Sequence, residues 1–144
     1  IRGICCLLPG IAGKTDNIRI CSIVGRYLEH SRIYCFGKGS DEKMYISSAD
    51  FMTRNTQRRV EVACPVYDEK IREKIHKIID AVRHDNVKGR MMMADGTYVE
   101  KGPDLPPLDS QQFLMDEALK HAAHTEEKPS QKHRGGFFGR LFGR

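Results

Sequence analysis

The sequence predicts an α/β domain in which a mixed β-sheet is flanked by helices. Two observations carry that prediction. Apolar and β-branched residues gather in short runs at 3–8, 18–24, 32–36, 44–48 and 60–66, each bounded by Gly, Pro, Asp or Asn, as strands are. Beyond them the period changes: Ile71, Ile75, Ile78, Ile79 and Val82 fall on one face of a helix, behind Asp68 at the N-cap position.

The first run lies within Arg2-Gly3-Ile4-Cys5-Cys6-Leu7-Leu8, a strand-like stretch already under way at Ile1. A chain opening this way, without Met, is expected to be cut from a longer polypeptide. Next, Gly10-Ile11-Ala12-Gly13-Lys14-Thr15 ends like a phosphate-binding P-loop, but Leu8 stands where the first Gly is required and a strand-like run, not a helix, follows Thr15. A polar turn is expected there. With the remaining runs the chain has four or five strands, and the isoleucine-faced helix spans roughly 68–85. Asp95-Gly96, between Met91-Met92-Met93 and Thr97-Tyr98-Val99, predicts a tight hairpin. The Pro-rich stretch 102–108 predicts an extended surface segment. A second helix is expected from about 109 to 123, with Phe113, Leu114, Ala118, Leu119 and Ala122 as its apolar side. The domain is expected to cover 1–124. Residues 125–144 carry too little apolar area to offset the entropy of ordering and are expected to form a disordered tail, although their Phe, Gly and Arg residues also suit a hook onto a partner or an anionic membrane surface.

With 144 residues the chain has one core's worth of sequence and not two catalytic lobes. No apolar run approaches the roughly 20 residues of a membrane span and no signal-like start is visible, so the cytoplasm is the expected compartment, with weak membrane association through the tail as the second reading. Charge is uneven: 10 Lys/Arg against 6 Asp/Glu in 1–64, 9 against 11 in 65–125, and 5 against 2 in 126–144. The first block attracts anions, whether nucleic acid, phosphorylated metabolites or polyanions. Cys5, Cys6, Cys21, Cys35 and Cys64 sit in apolar runs without metal-ligand spacing and read as buried, reduced thiols.

Two stretches carry chemistry. In Tyr27-Leu28-Glu29-His30-Ser31-Arg32-Ile33-Tyr34, alternation along a strand puts His30 and Arg32 on one face. An imidazole that can take or give a proton beside a guanidinium that grips phosphate suits phosphoryl chemistry, while an ordinary surface histidine fits the same residues. Downstream, Ser47, Ser48, Asp50, Arg54 and Asn55, followed by Arg58 and Arg59, form a dense set of hydroxyl, carboxylate, carboxamide and cationic groups where a strand opens into a loop. A capped helix start with solvated arginines would look alike.

The runs 1–7, 22–32 and 47–55 closely resemble the last domain of bacterial polyphosphate kinases, and the likeness extends from Ile1 to about Leu119. The resemblance implies a phospholipase D-like fold, here truncated at its N-terminal side. It implies an enzyme that transfers the γ-phosphate of ATP reversibly to growing polyphosphate through a phosphohistidine in the preceding domain. It further implies that Arg2 and His30 contact ATP phosphates, that Ser47, Ser48, Asp50, Arg54 and Asn55 with Arg32 make phosphate or supporting contacts, and that Mg2+ is bound by other domains. ATP/ADP, polyphosphate, the rest of the parent chain and a homo-oligomer are the expected partners, nucleic acid is not, and the segment alone is expected to be inactive. The phospholipase D pattern His-x-Lys-x-x-x-x-Asp would need Lys at 32 and Asp at 37, where Arg32 and Gly37 stand. Without that Asp to orient its ring, His30 is expected to act as an acid/base or electrostatic accessory and not as the covalent carrier. A phospholipase D-like phosphodiesterase and a noncatalytic basic polyanion-binding module are the alternatives.

Overall fold

A computed structural model of the chain describes residues 7–102 and 105–126. The expected class holds, with strands and helices packed together, but the strands divide into two antiparallel sheets of three instead of one mixed sheet. One sheet is a meander of sequence neighbours, β2 (Ile33–Phe36), β3 (Lys43–Ser47) and β4 (Ala63–Pro65), in the order β2-β3-β4. Its register sets Tyr34 opposite Tyr45 and Ile46 opposite Cys64. The other sheet joins β1 (Cys21–Ile23) to the hairpin of β5 (Gly89–Met92) and β6 (Tyr98–Glu100), in the order β1-β5-β6. At the hairpin tip Gly96 adopts φ 84°, a conformation that glycine tolerates, and the Asp95 carboxylate accepts from the Thr97 N–H at 2.9 Å.

Helix α2 (Glu69–His84) matches the expected span, and the Asp68 carboxylate accepts from the Ile71 N–H at 3.0 Å as its N-cap. The isoleucine face is narrower than the spacing suggested. Ile75 is buried with Met44 and Val66, Ile79 and Ile33 pack beside them, but Ile71 is half exposed at the helix start. A second tie is ionic: Arg72 donates to the Glu42 carboxylate at 3.1 Å and to the Glu42 carbonyl at 3.2 Å, and His76 Nε2 lies 2.8 Å from the same carboxylate. The thiols depart from expectation, since Cys35 and Cys64 are exposed and Cys21 is half-buried. Exposure does not alternate on these strands: Cys35 is open together with Phe36, and Cys64 together with Ala63.

The segment around Gly10 is a turn closed by its own hydroxyl: Thr15 Oγ1 accepts from the Ile11 N–H and donates to the Leu8 carbonyl, each at 2.8 Å, while Lys14 is exposed. Leu7 and Leu8 are not in a strand, and the rest of the expected first strand lies outside the described residues. The 102–108 stretch has no regular structure in its described part and is tethered by Asn86, whose amide donates to the carbonyls of Gly102, Leu105 and Pro106. Helix α3 (Ser110–Glu126) follows. Its first turn belongs to the unit containing both sheets, while the unit beginning at Met115 is described only as the remainder of the helix. There Ala118, Leu119 and Ala122 are exposed, so the apolar side foreseen for this helix is limited to Phe113 and Leu114, both half-buried. Most of the expected tail lies outside the described residues. Among those described, no helix is long and apolar enough to cross a membrane.

Candidate functional site

The site is assembled where β2 begins and where the chain leaves β3. Arg32 precedes β2, and the Ser47 N–H donates to its carbonyl at 2.9 Å, carrying the ladder one residue past the strand. Three residues beyond β3 the chain turns back, pinned by the Tyr34 hydroxyl on the Ala49 carbonyl at 2.7 Å and by the Phe51 ring standing edge-on to Tyr34 at 5.4 Å. This turn brings Asp50 against Arg32. The guanidinium grips it with two bonds, Nε to Oδ1 at 2.8 Å and Nη2 to Oδ2 at 3.1 Å. Nη2 also contacts Nε2 of His30, whose side chain is 60% exposed. His30 and Arg32 thus meet, although both lie before β2 and outside the strand whose alternation was expected to align them.

The pairing has an electrostatic signature. The hydrogen bond from Arg32 holds the Asp50 carboxyl below its ordinary range, and the same bond holds the Arg32 guanidinium above its own. The Asp missing at position 37 therefore has a partial replacement from another part of the chain, since Asp50 Oδ2 lies 3.6 Å from His30 Nε2. The replacement faces the ring nitrogen that Arg32 also engages, not the opposite one. Arginine only donates, so Nε2 accepts from Arg32 in the tautomer that carries its proton on Nδ1, and pairs with Asp50 when it carries a proton itself.

A second cluster lies alongside. Glu61 receives the Ser48 hydroxyl on Oε2 and the Asn55 amide on Oε1 at 2.7 Å, and these bonds, the hydroxyl first, hold its carboxyl low. Ser47 Oγ donates to the Val62 carbonyl at 3.0 Å and accepts from the Ala49 N–H at 3.1 Å. Asn55 is buried on helix α1 (Thr53–Gln57), and its Oδ1 has no hydrogen-bond partner among the described residues. Arg54 is exposed on the same helix and Arg58 and Arg59 are exposed just after it. Arg2 lies outside the described residues.

Sequence reasoning missed Glu61 and Tyr34. Both left a signal: Tyr34 continues the alternation His30, Arg32, and Glu61 is an acid between Val60 and Val62 in a strand-like run. Among the described residues no group of three or more His, Cys, Asp or Glu could hold a metal ion, and both nearby carboxylates are already engaged, so these side chains do not fit a magnesium site.

Comparison with known proteins decides the family. The family described as "Polyphosphate kinase C-terminal domain 2" matches residues 1–111. The chain belongs to this polyphosphate kinase domain family. It is 48% identical over 131 residues to a polyphosphate kinase of Staphylococcus haemolyticus, covering 91% of this chain and 18% of that protein. It is 51% identical over 124 residues to one of Bacillus anthracis, covering 84% and 17%. The solved polyphosphate kinase of Porphyromonas gingivalis superposes with a TM-score of 0.75 at 40% identity, covering 85% of this chain and 19% of that one. The chain thus spans less than a fifth of the length of these polyphosphate kinases.

Proposed function

We propose that this chain forms one wall of the nucleotide site of a polyphosphate kinase, which moves the γ-phosphate of ATP reversibly onto the end of growing inorganic polyphosphate through a phosphohistidine in another domain. The observation that supports this most is the exposed His30 ring seated on the Arg32–Asp50 pair, within a segment of this family. Phosphoryl transfer gains chiefly from positioning and from cations around the equatorial oxygens. Neutral His30, with Nε2 occupied by Arg32, offers Nδ1–H to a phosphate oxygen. When Nε2 takes a proton it can no longer accept from Arg32 and faces Asp50 Oδ2 instead, so the ring becomes a cation whose charge is balanced from behind.

Arg2 is assigned with His30 to the ATP phosphates. Asp50 occupies Nε and one N–H of Nη2 on Arg32, which makes Arg32 a holder of His30 more than a phosphate ligand. Ser47 and Ser48 act as braces for the loop, because their hydroxyls are spent on Val62, Ala49 and Glu61, and Asn55 braces it through its amide N–H on Glu61. Arg54 supplies exposed positive charge toward polyphosphate. The magnesium that the resemblance implies is assigned to other domains, as are the remaining contacts to ATP and ADP. The enzyme is placed in the cytoplasm as a homo-oligomer. A phosphodiesterase of the phospholipase D type fits less well, since its nucleophilic nitrogen would have to be free and its opposite nitrogen held by the carboxylate.

The test is made in the full-length enzyme. His30→Ala and Arg2→Ala should each lower ATP-dependent polyphosphate synthesis about 10²–10³-fold while the unfolding midpoint moves little. Acid-labile label from ATP should persist on a histidine outside this chain. Label on His30 itself, or undiminished synthesis in both variants, overturns the reading.

A further inference from the structure

The segment that delivers His30 to its partners, residues 25–32, belongs to no strand or helix. Backbone groups outside a ladder need other partners, and at Tyr27 one side chain provides both. Gln111 Oε1 accepts from the Tyr27 N–H at 3.0 Å, and Gln111 Nε2 donates to the Tyr27 carbonyl at 2.8 Å and to Glu29 Oε1 at 2.8 Å. The amide copies the paired bonds of an antiparallel ladder and uses its two donors and an acceptor. Gln111 is itself only 6% exposed. It packs so closely under Gly25 that a Cβ there would overlap the amide oxygen. The helix turn bearing it is anchored in turn, since the neighbouring Ser110 bonds through its N–H and its hydroxyl to the fully buried Asp85. A rigid chain of contacts therefore runs from Asp85 through Ser110 and Gln111 to Tyr27 and Glu29, the residue before His30.

From this geometry we infer that Gln111 is a positioning residue for phosphoryl transfer, holding the 25–29 segment so that His30 meets Arg32 and Asp50. The inference rests on the role proposed for His30. Misplacing a reacting group by about 1 Å costs on the order of 10²-fold in rate, so a lost grip at Tyr27 is expected to appear in kcat.

The experiment is a double-mutant cycle in the full-length enzyme with Gln111→Met, which keeps length and volume but removes all three bonds, and His30→Ala. Gln111→Met should lower kcat about 10- to 100-fold with a smaller change in KM for ATP. In the His30→Ala background it should cost little more, because the group it positions is gone. If Gln111→Met does not fold by circular dichroism, Gln111→Glu takes its place in the cycle: it keeps the acceptor for Tyr27, loses both donors and opposes Glu29, and the same non-additivity is expected. If His30→Ala leaves turnover intact, the site reading falls and the positioning role falls with it. If His30→Ala lowers turnover but the Gln111 variant does not, or if the two losses multiply, the positioning role alone is overturned.

Discussion

The carboxylate of Asp85 accepts both the backbone N–H and the hydroxyl of Ser110, at 2.8 and 2.7 Å, so the end of α2 and the start of α3 meet on one fully buried acid. Its other oxygen gathers the N–H groups of Val87, Lys88 and Gly89 at 2.8 to 3.1 Å. Removing it strands five buried or part-buried donors. Asp85→Ala is expected to destabilise the domain by roughly 3–5 kcal/mol, read from urea unfolding, against well under 1 kcal/mol for truncation of the exposed Asp16.

Among the described residues four carboxyls are stronger acids in the fold than their ordinary values. Asp50 is held down by Arg32, Glu61 by Ser48 and then Asn55, and Asp95 by the Thr97 hydroxyl. At Asp85 burial pushes upward but is outweighed by the bonds from Ser110, Lys88 and Gly89. The unfolded chain therefore takes up protons first as pH falls. The stability these groups contribute is complete above their unfolded values of about 4 and drains away below that, toward their lower folded values. Urea midpoints measured from pH 7 to 2 should drop on the acid side of about pH 4. A midpoint flat to pH 2 contradicts the assignment.

At the core, Ile75 and Ile71 should behave differently although both lie on the isoleucine face. Ile75→Ala opens a cavity beside Met44 and Val66 and is expected to cost about 2–4 kcal/mol, while Ile71→Ala, on a half-exposed side chain, should cost about 1 kcal/mol or less. Thermal or chemical unfolding of the two variants decides.

Arg32→Lys keeps the charge and loses the fork. A lysine cannot engage both Asp50 oxygens and His30 together, so turnover in the full-length enzyme should fall about 10-fold or more, with only a small loss of stability because a lysine still pairs with the part-buried Asp50 carboxylate through one bond. Turnover equal to wild type would show that charge alone suffices at this position.

Much of the fold was legible because its signals are local. Asp68 with the isoleucine spacing marked α2, and Asp95-Gly96 marked the hairpin. The division into two sheets was not legible, since strand runs do not say which strand each will pair with. Nor was the exposure of Cys35 and Cys64, because a run of three or four residues does not reveal which face is covered. At the site, the His-x-Arg spacing pointed to two residues that do meet, though in the segment before β2 and not within a strand, and the loop composition singled out Asp50. That Asp50 would stand in for the acid missing at 37 depends on the turn after β3, which no spacing records. Gln111 left no trace at all, as its partner is a backbone 84 residues away.

The two sheets differ in how far along the chain their pairings reach. β2, β3 and β4 pair in sequence order, and every described member of the site from His30 to Glu61 lies in or beside that meander, whereas β1 must find β5 across the whole of it. Nearby pairings close at small loop entropy and distant ones at larger cost. The Arg32–Asp50 pair can therefore form on a hairpin-sized piece of chain, while the grip on Tyr27 waits for the last helix to arrive. The His30 cluster and the contact that holds its leading segment are in this way divided between the short-range and the long-range pairings of one domain.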